Sequence, residues 1–185
     1  MAKPRLQELY NAKILPQLVK DFQLENVMEA PKLSKIVLNI GAKEAVGDAK
    51  ALNKISEVLG IIAGQKTVRT KAKKSIAGFK LREGMPIGVK VTLRGQNMYE
   101  FLDRLINLAL PKVRDFQGVP TKLDRRGNYN LGIRDWSIFP EVHHELTDKA
   151  VGMNITFQTN KESDELALAM LKGFGMPFVK STKAA

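Results

Sequence analysis

Short stretches of alternating apolar and polar residues run through the chain and predict β-strands whose side chains point alternately to two faces. Clear alternation marks 33–41, 87–94, 127–133 and 151–159, and a less regular stretch at 65–71 predicts a fifth strand. Because the apolar residues fall on one side of each strand, the predicted sheet has one buried face and one open face.

Apolar residues at helical spacing predict four helices, and with the strands they predict an α+β fold in one domain over 1–185. The first helix covers 5–24, where Pro16 should kink or split it because proline lacks a backbone N–H. The second helix is predicted from an N-cap at Asp48 to an end near Ala63. A capping box at Asn97 and Glu100 begins the third, which ends at Pro111. The fourth begins at Ser163 and is stopped by Gly173 and Gly175.

The outward positions of the predicted strands are polar and include no carboxylate, although about three would be expected from the chain's composition. An ordinary solvated sheet face is one interpretation of this pattern. The alternative is a cationic, hydrogen-bonding platform for a phosphate backbone, which we favour. The positions are Lys35, Asn39, Gln65, Thr67, Arg69, Lys71, Lys90, Thr92, Arg94, Asn128, Asn130, Asn154, Thr156 and Gln158.

The kind of polyanion follows from what these outward positions lack. They carry no aromatic side chain on which the bases of a single strand could stack. Amides, hydroxyls and cations suit the 2′-hydroxyls and phosphates of a folded RNA. DNA is a less suitable partner, because the sequence shows no basic recognition helix. The pattern therefore favours structured RNA.

Composition agrees with a polyanionic partner. The chain has 30 Lys and Arg against 19 Asp and Glu, a net charge of +11. Most of this surplus lies in 65–94, where nine cations face the single carboxylate of Glu83. Cysteine is absent, which removes disulfides and thiolate chemistry. With no long apolar run and no secretory signal at its start, we expect a soluble, intracellular protein.

The segment 72–86 is a long, basic connection between two predicted strands. It carries Lys73, Lys74, Lys80 and Arg82, with Phe79 among them. A connection of this length is either disordered filler or an arm that reaches a second polyanion, and we favour the arm.

Catalytic and metal-binding patterns are weak. Gly41 and Gly47 precede a helix, but no Gly-Lys-Ser/Thr follows, and His143 and His144 are adjacent without a ligand cluster. We expect no catalytic residue, metal, cofactor or small-molecule substrate. Two rival classes stay open: an enzyme that acts on RNA, and a membrane-surface protein that uses its first helix.

Several long segments resemble a known family. They are KIVLNIG (35–41), GQKTVRTKAKKSIAGFKLREGMPIGVKVTLRG (64–95), LINLALPKVRDFQG (105–118), RGNYNLGI (126–133), IFPEV (138–142) and GMPFVK (175–180). In this order, and over nearly the whole chain, they resemble the bacterial-type large-subunit ribosomal protein five, the universal L-five family.

The resemblance implies a non-enzymatic, cytoplasmic protein of the large ribosomal subunit. Its fold would be a curved, mostly antiparallel sheet with helices packed on one face. The open face would hold 5S rRNA in the central protuberance, beside neighbouring large-subunit rRNA. The basic loop would contact peptidyl-site tRNA. An intersubunit bridge to small-subunit ribosomal protein thirteen would lie near 110–118 and 140–150. A structured-RNA-binding protein or RNA chaperone outside the ribosome is the alternative.

The family's RNA-contacting Asn, Gln and Thr match Asn39, Gln65 and Thr92, and its basic loop matches 72–84. Outward position and resemblance together predict these rRNA-binding residues: Lys35, Asn39, Gln65, Thr67, Arg69, Lys71, Lys90, Thr92 and Arg94. The predicted tRNA-contacting residues are Lys73, Lys74, Ser75, Phe79, Lys80 and Arg82.

The chain departs from the family pattern in two places. Where the family usually has Phe-Asp-Gly-Arg-Gly-Asn-Tyr, the chain has Leu-Asp-Arg-Arg-Gly-Asn-Tyr over 123–129. The replacement of glycine by Arg125 is expected to alter a turn. The segments 135–137 and 143–144 also differ from the usual residues, which affects the expected bridge region and not the sheet face.

Overall fold

A computed structural model describes residues 3–42, 49–142 and 150–179 of the chain. It has the predicted α+β composition, with five strands in one open antiparallel sheet and four helices in the described ranges. The fold-class prediction is therefore confirmed. No helix among the described residues is both long and apolar enough to cross a membrane.

The five strands lie close to their predicted positions. They run along the sheet in the order β2-β3-β1-β5-β4, so the first strand in sequence is central and the second is at one edge. Their bounds are Leu33–Gly41 for β1, Val68–Lys71 for β2, Pro86–Leu93 for β3, Tyr129–Ile133 for β4 and Met153–Thr159 for β5.

The first helix, α1, is divided as Pro16 predicts. It runs through three consecutive segments, with α-helical Arg5–Leu9, π-helical Tyr10–Ile14 and α-helical Leu15–Asp21. Pro16 stands in the first turn of the last segment. Its missing N–H breaks the regular bonding pattern, so the wider turn lies just before it.

The other helices are α2 (Ala49–Ala63), α3 (Gly95–Arg104) and α4 (Asp164–Gly173). The predicted N-cap Asp48 lies outside the described residues. The capping box at Asn97 and Glu100 is wrong, because α3 already begins at Gly95 behind an extended Arg94 with no side-chain cap. After α3 the chain continues as a π turn, Leu105–Ala109, and a short 3-10 turn, Leu110–Lys112.

The described residues group into two compact units. The first consists of the described residues within 1–36, 94–131 and 156–185, and the second of those within 37–93 and 132–155. In the first unit, the rings of Tyr10 and Phe174 stack with centroids 5.9 Å apart, and Tyr99 lies 6.2 Å from the same phenylalanine. Aromatic packing thus joins α1 and α3 to the segment that follows α4.

In the second unit, α2 packs against β3. Its apolar side, with Leu52, Leu59 and Ile62 fully buried, covers the inward residues of the strands. Those inward residues include Leu38 of β1 and Val89 of β3, which are also fully buried. The opposite side of these strands is left open.

Candidate nucleic-acid interface

The open side of β1 and β3 in the second unit carries three of the predicted binding residues. Asn39 lies between buried Leu38 and Ile40, so its side chain points away from the core. Lys90 and Thr92 alternate in the same way along β3. Lys90 is exposed, while Asn39 and Thr92 are half-buried. The geometry therefore brings an amide, a hydroxyl and a cation to the open side of neighbouring strands.

The register between β2 and β3 changes the prediction for the edge strand. Val68 is paired with Lys90 and Thr70 with Gly88, while Arg69 is paired with inward-facing Val89. Paired residues of an antiparallel ladder point to the same face. Val68 and Thr70 therefore belong to the open side, and Arg69 belongs to the helix side.

The prediction that Thr67 and Arg69 point outward is thus wrong. Arg69 Nη2 donates to Asn53 Oδ1 of α2 at 2.8 Å. The hydroxyls of Thr67 and Ser56, also on α2, are hydrogen-bonded at 2.5 Å. Both side chains tie the edge of the sheet to the covering helix.

A bulge restores the outward direction one residue later. The register shifts between Thr70 and Lys71, so that Lys71 pairs with Pro86. Pro86 has the same parity as Gly88 and Lys90, which places exposed Lys71 on the open side. Lys71 therefore points to the open side, as predicted. The strict alternation along β2 on which that prediction was based is interrupted by the bulge.

Gln65 and Arg94 lie just outside the strands. Gln65 is exposed, and its Nε2 donates to the backbone oxygen of Thr92 at 3.3 Å. This bond holds the amide beside β3, next to a second predicted contact. Arg94 is exposed and directly precedes α3.

The open side also contains residues that the sequence pattern missed. Val68, with 57% of its surface exposed, and half-buried Thr70 were not predicted as outward residues. Gly88 lies between Thr70 and β1, and a Cβ on it would come within 2.6 Å of the Ile40 carbonyl oxygen. Only glycine fits there without a shift. A glycine inside a strand pattern is the one sequence signal that indicates so close an approach.

The first unit holds the remaining outward residues except Asn154, which belongs to the second unit. Lys35 is half-buried on β1. Thr156 Oγ1 donates to Asn130 Oδ1 at 2.7 Å, so these two polar side chains are joined across β5 and β4. Asn128 is engaged elsewhere, since its Nδ2 donates to Asp124 Oδ2 at 2.7 Å. Thr156 and Asn130 are thus hydrogen-bonded to each other, and Asn128 is hydrogen-bonded within a turn.

The basic connection 72–86 is a hydrogen-bonded hairpin extension. Ala72 N donates to the Met85 oxygen at 2.8 Å, and Gly84 N donates to the Ala72 oxygen at 3.0 Å. Nearer the tip, Ile76 and Leu81 form an antiparallel bridge around a 3-10 turn. The disordered-filler alternative does not describe a segment with this many internal bonds.

The tip of this loop presents cations and one aromatic ring. All four loop cations are exposed, and Phe79 has 71% of its surface exposed. Ser75 has a different part, because its Oγ accepts a hydrogen bond from Glu83 N at 2.9 Å and so helps to fix the loop. The exposed cations are Lys73, Lys74, Lys80 and Arg82.

A shallow groove lies under the loop tip. Gly41, Ala42 and Ile87 line one side, and residues 78–81 line the other. Among the described residues, no group of three His, Asp or Glu side chains is arranged to hold a metal ion. The chemistry available on this surface is therefore hydrogen bonding, cationic attraction and ring stacking.

Comparison with known proteins gives consistent matches. A family model for the C-terminus of the ribosomal protein L5 family matches residues 86–178, and one described as ribosomal protein L5 matches residues 26–82. A large ribosomal subunit protein uL5 from Geobacter sulfurreducens is 58% identical over 175 residues, covering 94% of this chain and 98% of the relative. The relative of the same name from Geotalea uraniireducens is 57% identical over 175 residues, with the same coverage.

A third organism gives the same result. The large ribosomal subunit protein uL5 of Streptococcus pneumoniae is 54% identical over 177 residues, covering 95% of this chain and 98% of the relative. The similarity therefore extends over both matched regions, including the open side of β1 and β3 and the basic loop.

Proposed function

Because this chain belongs to the ribosomal protein L5 family, we propose that it binds 5S rRNA through the open side of β1 and β3. The chain is a structural constituent of the large ribosomal subunit in the cytoplasm, and it is not an enzyme. The proposal concerns which RNA it holds and with which residues. Asn39, Thr92 and Lys90 are the central contacts, with Gln65 and Lys71 beside them.

One observation carries this proposal: the outward polar groups of β1 and β3 include no carboxylate. Lys90 supplies a positive charge, while Asn39 and Thr92 supply an amide and a hydroxyl between buried neighbours. RNA in a folded helix exposes phosphates and 2′-hydroxyls, which match these three groups. A carboxylate on the same side would repel the phosphates, and the strands have none there.

The basic loop supports a second, separate contact with peptidyl-site tRNA. Its backbone hydrogen bonds hold the tip in a defined shape. Binding therefore costs less conformational entropy than it would for a flexible loop with the same cations. Phe79 can stack on a base or ribose, and the four cations attract phosphate groups. The proposed contacts are Lys73, Lys74, Ser75, Phe79, Lys80 and Arg82, of which Ser75 acts through loop shape.

A third contact, the bridge to small-subunit ribosomal protein thirteen, is proposed for 110–118 and 140–150. In the first of these segments Lys112 is exposed, and Asp115 has a positive φ of 51°. A turned, charged segment is suited to a protein partner of mixed charge. Residues 143–149 of the second segment lie outside the described residues.

Competition gel shifts test the proposed RNA. We expect the purified chain to bind 5S rRNA more tightly than tRNA or duplex RNA and DNA of equal length, at one fixed salt concentration. Specific RNA contacts add to a charge attraction that all of these polyanions share. Equal affinity for every competitor would instead support a general structured-RNA binder or chaperone and would contradict the 5S rRNA proposal.

A further inference from the structure

We propose that Arg125 is a phosphate-binding residue for ribosomal RNA, presented by a rigid turn in the first unit. The proposal rests on the chain's place in the large ribosomal subunit and does not require the 5S rRNA interface on β1 and β3. Its starting point is the backbone of Arg125, which has a φ of 66°. This left-handed conformation is strained for a residue with a Cβ and is the ordinary place for glycine or asparagine.

The turn around Arg125 is held by two carboxylates. Asp164 at the start of α4 accepts hydrogen bonds from Arg125 N at 3.0 Å and Gly127 N at 2.8 Å. Asp124 accepts from Arg126 N at 2.8 Å and Asn128 N at 2.9 Å. Four successive backbone donors are therefore satisfied, and the chain is fixed in the strained conformation.

The turn also packs closely against the segment after β5. A Cβ on Gly127 would come within 2.1 Å of the Lys161 carbonyl oxygen, and Thr159 Oγ1 donates to the Gly127 oxygen at 3.0 Å. Packing this tight leaves the turn little freedom. Arg125 therefore occupies a tightly packed turn in a backbone conformation that glycine adopts readily.

The side chain gains nothing within the described protein that offsets this strain. Arg125 is exposed, and across the described residues its guanidinium has no hydrogen bond or ion pair. Only its backbone N–H is engaged, with Asp164. A strained residue whose side chain has no internal role is a candidate for a role in binding.

A second exposed guanidinium, that of Arg126, follows Arg125 directly in the chain. The nearest carboxylates, Asp124 and Asp164, accept hydrogen bonds from the backbone donors of the turn. Burial acts to raise the pKa of Asp124, but the hydrogen bonds that it accepts from Asn128 and Arg126 together lower this pKa. Glu162 and Glu165 are the exposed negative charges that remain nearby in the described sequence. A planar guanidinium matches a phosphate with two parallel donors.

The test separates charge from strain with three substitutions. Arg125→Gly and Arg125→Asn remove the charge and fit the left-handed backbone, while Arg125→Lys keeps the charge. Lys20→Gln, an exposed cation on α1, is the matched control for net charge. Each variant is titrated against 5S rRNA and, separately, against protein-free large-subunit rRNA over a range of salt concentrations, and its thermal unfolding midpoint is measured.

We expect Arg125→Gly and Arg125→Asn to weaken binding to one of the two RNAs about three- to tenfold, and to reduce its salt slope by about 0.7–0.9. Arg125→Lys should keep the slope. The unfolding midpoints of the glycine and asparagine variants should stay level or rise, because strain is relieved. The RNA that responds identifies the source of the phosphate.

Three results would overturn the proposal. They are unchanged affinity for both RNAs, a fall in the unfolding midpoint that accompanies the loss of binding, and an equal loss of slope in Lys20→Gln. Open-face variants report on the 5S rRNA interface independently, so failure there would leave the Arg125 result standing.

Discussion

The Arg69 guanidinium donates a hydrogen bond to Asn53 Oδ1 at 2.8 Å, on the side of the sheet that α2 covers. Its partner in the ladder is Val89, which is fully buried. The next residue along β3, Lys90, points to the opposite, open side. These two exposed cations, one ladder step apart, thus lie on opposite sides of the sheet, and their neutralisation should have different effects.

We predict that Lys90→Gln weakens RNA binding and that Arg69→Gln weakens folding. Lys90→Gln should reduce the salt slope of 5S rRNA binding by about 0.7–0.9 and leave stability unchanged, since an exposed lysine adds little to the core. Arg69→Gln should lower the free energy of unfolding by about 0.5–1.5 kcal/mol through the lost bond to Asn53. Salt-dependent gel shifts and urea unfolding measure the two effects.

The two variants are controls for each other because each removes one positive charge. A slope change of the same size in both would mean that only net charge matters, and the assignment of faces would then be wrong. Circular dichroism at the binding temperature checks that both variants are folded.

The four exposed cations of the basic loop should contribute little to the stability of the fold. Replacing Lys73, Lys74, Lys80 and Arg82 with Gln should leave the unfolding midpoint and 5S rRNA affinity nearly intact, because all four are exposed and the loop is held by backbone bonds. It should lower the occupancy of peptidyl-site tRNA on ribosomes that carry the variant. If 5S rRNA affinity falls instead and tRNA occupancy does not, the loop belongs to the open-face interface.

Two buried tyrosines predict the behaviour of the protein at alkaline pH. Burial raises the pKa of both Tyr10 and Tyr129 from 10.0 to about 12. Their hydroxyls donate to the backbone oxygens of Pro31 at 2.8 Å and Pro120 at 2.7 Å. As pH rises, the unfolded chain releases these protons first, so the stability they contribute is complete below pH 10 and falls between pH 10 and about 12.

A Tyr10→Phe, Tyr129→Phe double variant should lose less stability than the parent over that interval. Its stability at neutral pH should be lower, because two hydrogen bonds are gone. The free energy of unfolding of both proteins is measured in urea near pH 9 and about pH 11.5. The lysines also titrate over this interval, but they do so equally in both proteins, so their effect cancels in the comparison. Parallel losses in the two proteins would show that the tyrosines do not carry the pH dependence.

The close packing around Gly88 should make the protein sensitive to a larger residue at this position. In Gly88→Ala the new Cβ would meet the Ile40 carbonyl oxygen at 2.6 Å and Thr70 Oγ1 at 2.9 Å. We expect a loss of about 1–3 kcal/mol in the free energy of unfolding, as in other overpacked sites. Gly78→Ala is the matched control, since its Cβ would enter open space. Equal stability of the two variants would contradict the close approach of the strands.

Much of this fold could be predicted from hydropathy alone because the strands alternate cleanly. β1, β3 and β5 bury every second residue along most of their length, so their outward residues Asn39, Lys90 and Thr92 were assigned correctly. β2 is a short edge strand without a buried side of its own, so its alternation carries no information. Its direction is fixed by pairing with β3 and by the bulge at Lys71, which are not local properties of the sequence.

The local sequence pattern is also incomplete at the start of α3 and at the turn around Arg125. Asn97 and Glu100 fit a capping box, but α3 begins two residues before Asn97, at Gly95, whose φ is 57°. At Arg125 the turn is held by hydrogen bonds to the carboxylates of Asp124 and Asp164, and Asp164 lies 39 residues further along the chain. The contact with Asp164 is not visible in the local sequence pattern around Arg125.

Binding of 5S rRNA by two matched double variants tests the central claim most directly. Asn39→Ala with Thr92→Ala removes polar groups from the open side, and Asn53→Ala with Thr67→Ala removes polar groups from the helix side. At one salt concentration, and with native circular dichroism in both, we predict that the first variant loses affinity about tenfold and the second less than about twofold. Unchanged affinity in the first variant, or an equal loss in the second, would contradict RNA binding on the open side of β1 and β3.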